Sequence, residues 1–132
     1  MGSALRLLLD THTFYWALND PSALGHAARS AIESEQNEVM VSAVTAFEMS
    51  TKHRIGKWPQ VEPIIQQIDS VLAGKRFSPL SITTAHAIRA GQLDLSHRDP
   101  FDRLLMAQAL TDGLTLVSNE AIFDRFDVTR LW

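Results

Sequence analysis

The first apolar run of the chain, Leu5 to Leu9, stops on a carboxylate, Asp10. The run is short for a helix and carries three consecutive leucines, so it reads as a buried strand of a parallel sheet. In such sheets, ligands sit outside the carboxyl ends of the strands. Asp10 stands at such an end.

The remaining pattern repeats the theme. Strand one covers about Leu5 to Asp10, and Thr11 to Leu18 reads as a short helix closed by the turn Asn19-Asp20-Pro21. Ser22 is the expected cap of a second helix, Ala23 to Glu35, with Leu24, Ala27, Ala28, Ala31 and Ile32 on its inner face. Val39 to Ser42 is a short buried strand. Thr45 to Ile55 reads as a helix carrying Glu48, with Gly56 just past its end. Val61 to Ala73 reads as one amphipathic helix followed by Gly74, and Phe77 to Leu80 as an edge strand because of Pro79. Thr83 or Thr84 caps a helix to about Leu93. Asp99-Pro100 opens another, which Gly113 ends. Leu114 to Ser118 is a strand, Glu120 to Phe126 a short helix, and Val128 to Leu131 a last strand. This alternation predicts a single α/β domain, a three-layer α/β/α sandwich with a mostly parallel central sheet.

Composition narrows the chemistry. The 132 residues suffice for one such core. The sequence has no cysteine, which excludes disulfides, zinc–thiolate sites and cysteine nucleophiles. It has no apolar stretch of about 18 residues and no secretory leader pattern, so neither a membrane span nor secretion is expected. The formal net charge of -3 is a poor footprint for a protein that merely coats nucleic acid. Two divalent cations bound to its acids would reverse that sign, so a phosphate substrate stays compatible.

Those acids fall at matched places. Asp10 ends a strand, Glu48 lies early in the helix after strand two, Asp102 sits three residues past the cap Asp99, and Glu120 follows the strand Leu114 to Ser118. In a parallel three-layer fold these places share one sheet edge, where the carboxylates repel one another unless a cation joins them. Hard oxygen donors without cysteine or paired histidines favour Mg²⁺ or Mn²⁺ over zinc. One ion would activate water, and two about 3.5–4 Å apart would clamp attacking and leaving oxygens. Each acid also has an ordinary explanation: Asp10 as a turn residue, Glu48 as a solvated helix residue, Asp99 as a helix cap, Asp102 at a positive helix end, and Glu120 as an acid in the first turn of a short helix.

The segments LLLDTHTFYWAL (7–18), VSAVTAFEMSTKHRIGKW (41–58), HRDPFDRLLMAQAL (97–110) and LTLVSNEAIFDRF (114–126) together resemble a PIN domain, specifically a VapC-type toxin ribonuclease of a toxin–antitoxin pair. The third segment is the most specific. The resemblance implies that Asp10, Glu48 and Asp102 are metal-binding acids, and that Glu120 takes the fourth position, where aspartate is more usual. It matches Ser118 to the family's hydroxyl position and leaves Asp99 as an extra acid. It also implies Mg²⁺-dependent (or Mn²⁺-dependent) cleavage of RNA, a homodimer, a cognate VapB-type antitoxin and a cytoplasmic setting.

Lys52, Arg54, Lys57, Arg98 and Arg103 flank the acids as candidates for holding RNA phosphates, with Arg98 and Arg103 foremost. His12, two residues past Asp10, is a candidate for the edge of the site. His53, His86 and His97 show no metal-ligand spacing. Phe14, Tyr15 and Trp16 are adjacent, so one helix face cannot bury all three, and at least one should meet a partner or a groove. Two other readings remain. One is a phosphatase of the haloacid dehalogenase kind with Asp10 as nucleophile, although His12 stands where that family has a second aspartate. The other is a non-catalytic binding domain.

Overall fold

The computed structural model describes residues 4–94, 96 and 99–132. Its centre is the leucine run, β1 (Arg6–Leu9), flanked by β2 (Glu38–Ser42) on one side and β4 (Thr115–Val117) on the other. β3 (Ser78–Leu80) and β5 (Arg130–Leu131) form the edges, giving the order β3-β2-β1-β4-β5 among the described residues. All four pairings are parallel, with Leu9 opposite both Val41 and Val117. Pro79 lies in an edge strand, where a missing N–H is tolerated.

The two-residue period of the strands divides the core. Leu7 and Leu9 face one side with Val39, Val41 and Val117, while Leu8 faces the other with Met40 and Leu116. All three leucines are fully buried, each stabilising the fold by about 1.5–3 kcal/mol. The first side is covered by α1 (Thr11–Asn19), α2 (His26–Glu33), α4 (Glu62–Gln66) and α5 (Ile68–Lys75), through residues such as Phe14, Ala28, Ile64 and Leu72. The second side is covered by α7 (Pro100–Asp112), through Leu105, Met106 and Ala109. α3 (Ala43–Arg54) serves both, with Met49 in the first core and Val44 in the second. α6 (Thr84–Gln92) lies against α7. The arrangement is the α/β/α sandwich expected, with every strand pair parallel.

Three expected elements differ. Ser22 caps no helix: it lies in a 3-10 turn, Pro21–Ala23, and α2 starts at His26 behind Gly25. The reason is tertiary. The carbonyl of Trp132 accepts the Ala28 N–H at 3.3 Å, satisfying an orphan donor of the helix start without a side-chain cap. The long helix over 61–73 is broken at Gln67 (φ -136°, ψ 40°) into α4 and α5, and each piece lays its own apolar stripe on the first core. α5 then passes Gly74 and stops at Arg76, which takes a left-handed conformation (φ 59°). The segment after Glu120 is a 3-10 helix, Ala121–Arg125.

Candidate active site

The chain leaves β1 towards β2 and later returns to the other flank of β1 as β4. The carboxyl end of β1 is therefore a topological switch point, where adjacent crossovers diverge and leave a crevice. Asp10 sits at its mouth, largely buried. Its side chain accepts the Thr13 N–H at 2.9 Å as the cap of α1, and its own N–H donates to the Val117 carbonyl at 3.1 Å. The same carboxylate thus starts the helix and looks onto the crevice.

Glu48 reaches the crevice from α3 and is as buried as Asp10, at 7% exposure each. Such a carboxylate needs partners for both oxygens. The Thr11 hydroxyl donates to Oε1 at 2.6 Å, and the Lys52 ammonium lies 2.6 Å from Oε2. Thr11 and Thr45 hydroxyls are 3.3 Å apart behind this pair.

From the other side, Ser118 follows β4, fully buried. Its hydroxyl accepts the Glu120 N–H at 3.1 Å, and its carbonyl accepts from Arg130 at 2.9 Å. Glu120 is exposed by surface area, yet its carboxyl is held above the ordinary glutamate range. Partial desolvation is the first cause. The charge of Asp10 comes next, with Asp99 and Glu48 adding to it and His12 opposing. Residues at the start of α1, in α3 and at the start of α7 therefore act on one carboxyl group. Asp99 caps α7, accepting the Phe101 and Asp102 N–H groups at 2.9 and 3.2 Å, and half-buried Asp102 stands in the first turn it opens.

The donor set suits a hard divalent cation: it consists of carboxylates, and the charges of Asp10, Asp99 and Glu48 all raise the proton affinity of Glu120. Among the described residues, no three Asp, Glu or His side chains stand together at metal-ligand spacing. Glu48 has both oxygens bonded within the protein, so its ligation requires exchanging one of those bonds, whereas the cap bond of Asp10 engages Oδ1.

The flanking candidates divide. His12 stands at the rim, exposed, stacked on Trp58 at 4.9 Å between ring centroids and close enough to lower the Glu120 pKa. Arg103 directs its guanidinium to the carbonyls of Ala90 (2.8 Å) and Leu93 (2.8 Å), joining the end of α6 to the start of α7. Arg98 and His97 lie outside the described residues. Arg54 and Lys57 are exposed. Of the adjacent aromatics, Phe14 is fully buried, whereas Tyr15 and Trp16 are half-buried against Trp58 and Trp132. His86 is a buried capping-box residue that bonds the Thr83 N–H at 3.0 Å and approaches Asp112 at 3.0 Å.

The model of the PIN domain matches residues 7–128. The chain belongs to the PIN domain family. It is 31% identical to Ribonuclease VapC22 of Mycobacterium tuberculosis over 115 residues, 86% of each chain. Among solved structures, its fold resembles a chain of VapBC2 from Rickettsia felis bound to a promoter DNA fragment (TM-score 0.71, 18% identity, 96% of this chain and 98% of the other). It also resembles a chain of VapBC-1 from nontypeable Haemophilus influenzae (TM-score 0.68, 15% identity, 96% and 97%). In this PIN domain, two supports of the acids were not read from the sequence as such. Thr11 of α1 bonds Glu48 of α3, a long-range contact with no local signal. Lys52 follows Glu48 by four residues, and the Glu-to-Lys spacing of a helical ion pair is the signal that marks it.

Proposed function

We propose that the chain is a metal-dependent endoribonuclease and the toxin of a type II toxin–antitoxin module. The observation that carries this reading is geometric: the largely buried carboxylates of Asp10 and Glu48 meet at the switch-point crevice, tied through Thr11. Beyond the desolvation that comes first, Asp10, Asp99 and Glu48 raise the proton affinity of Glu120, so the crevice is anionic and gains from a divalent cation. The ribonuclease name of the VapC22 relative and the VapBC assemblies among the fold neighbours support the substrate and the partner.

Asp10, Glu48, Asp102 and Glu120 would hold Mg²⁺ or Mn²⁺, with Asp99 contributing charge and fixing the start of α7. When bound, such an ion lowers the pKa of water and neutralises charge on phosphoryl oxygens. The chain's own part is positional. Glu48 is locked by Thr11, and Asp10 by its cap bond. Ser118 holds the Glu120 backbone, and His12 with Trp58 forms a wall at the rim. Arg98 would hold a phosphate of the RNA. The carbonyl bonds of Arg103 support a positioning role for it at the α6–α7 junction. Water would attack the phosphodiester phosphorus, one ester oxygen would leave as the P–O bond breaks, and no covalent enzyme adduct would be needed. RNA as substrate implies a cytoplasmic setting. Phe47 and Ile88, both more than 60% exposed, offer apolar surface for a second copy or an antitoxin segment.

The test is cleavage of total RNA by the purified chain with Mg²⁺ or Mn²⁺, blocked by EDTA. The phosphatase alternative is not favoured. An aspartyl adduct trapped with a phosphate-mimicking fluoride would revive it.

A further inference from the structure

We propose that Lys52 is a resident counter-cation of the acidic crevice, occupying the Glu48 oxygen that a divalent ion would take, and that it sets the metal affinity by having to leave. This inference rests on the metal-dependent reading above and names a device within it.

The Lys52 Nζ lies 2.6 Å from Glu48 Oε2, and the Thr11 hydroxyl holds Oε1 at 2.6 Å. Both oxygens of a nearly buried carboxylate are thus committed. Ligation through Oε1 would strip a buried threonine of its acceptor. Ligation through Oε2 displaces only the ammonium, whose side chain is 34% exposed and flexible. An ammonium and a divalent ion on the same oxygen would repel strongly, so one excludes the other.

The displaced ammonium has a second seat within reach. Nζ is already 5.9 Å from the centroid of the Trp58 ring, whose face attracts cations. The Trp58 backbone is tied to Lys52, whose carbonyl accepts the N–H groups of Lys57 (2.9 Å) and Trp58 (3.2 Å), and its ring packs against His12 and Tyr15. In the absence of metal, the ammonium neutralises Glu48 and steadies the acid-rich crevice. When metal binds, it moves towards the indole.

The test is calorimetric titration of the full chain with Mn²⁺ alone, comparing the wild type with Lys52→Met and, should that variant fold poorly, Lys52→Gln. Removing the competing charge should tighten Mn²⁺ binding about tenfold, the loss expected of one partly buried ion pair of about 1.4 kcal/mol. Thermal unfolding without metal should occur at a lower temperature in the variants, and Mn²⁺ should raise it by more than in the wild type. If the wild type binds Mn²⁺ and the variants bind equally or more weakly, the role of Lys52 is overturned while the metal site stands. If neither binds at millimolar Mn²⁺, both readings fall together.

Discussion

The Thr11 hydroxyl bonds Oε1 of Glu48 at 2.6 Å, tying the residue that follows Asp10 to the carboxylate of α3. Two of the acids are therefore coupled through one buried threonine. Thr11→Val removes the donor and leaves a buried carboxylate oxygen unsatisfied. The expected loss is about 1–3 kcal/mol of stability, read by urea unfolding, together with weaker Mn²⁺ binding. Thr11→Ser, which keeps the donor, should recover most of both.

Asp10→Asn separates structure from chemistry. Asparagine caps helices about as well as aspartate, so the bond to Thr13 survives and stability should change by no more than about 0.5 kcal/mol. Metal-dependent RNA cleavage should fall by more than about 100-fold, since loss of even an outer partner of a ligand typically lowers activity 10- to 100-fold. A folded variant with full activity would remove Asp10 from the mechanism.

Glu120 predicts an unusual pH dependence. Its folded pKa is raised above the unfolded value, so as pH rises the unfolded chain loses that proton first. The folded state then binds more protons than the unfolded state, and stability declines with rising pH from about the ordinary glutamate value to the folded one. Below that window both states are protonated and the effect vanishes. Metal-free Glu120→Gln should therefore unfold at a higher temperature than wild type at neutral pH and at the same temperature in acid. A difference that persists unchanged in acid would refute the raised Glu120 pKa as its cause.

Much of this architecture was legible in the sequence, and the exceptions share a cause. The strands around Leu7–Leu9, Val39–Ser42 and Leu114–Ser118 were readable because burial on both faces leaves continuous apolar runs. α7 was readable because Asp99-Pro100 and Gly113 punctuate it locally. Ser22 misled because the start of α2 is decided by the Trp132 carbonyl, over a hundred residues away, and no local cap is needed. The single helix over 61–73 misled because an apolar stripe of helical period does not record a one-residue break at Gln67. Of the candidate acids, Asp10 was visible at a strand end, Glu48 and Asp102 early in helices, Asp99 as a helix cap and Glu120 just past a strand. The bond from Thr11 and the carbonyl bonds of Arg103 depend on which helix ends meet in space. The periodicity of either helix says nothing of that.

Gly25 offers a test of the α2 start. A Cβ there would lie 2.7 Å from both the carbonyl carbon and oxygen of Trp132, while the local φ of -61° is one alanine accepts. The clash alone therefore decides the outcome. Gly25→Ala should lower stability by about 1–3 kcal/mol, as overpacking does, and should accelerate amide exchange at Ala28. An unchanged exchange rate would show that the Trp132 carbonyl does not hold the helix start.

The proposed function requires a divalent cation in the anionic crevice. The most direct measurement is cleavage mapping on total RNA with wild-type and Asp10→Asn protein, each with Mg²⁺ and with EDTA. Discrete cut sites should appear only for wild type with Mg²⁺. Equal cleavage by wild type in EDTA, or by Asp10→Asn with Mg²⁺, would contradict it.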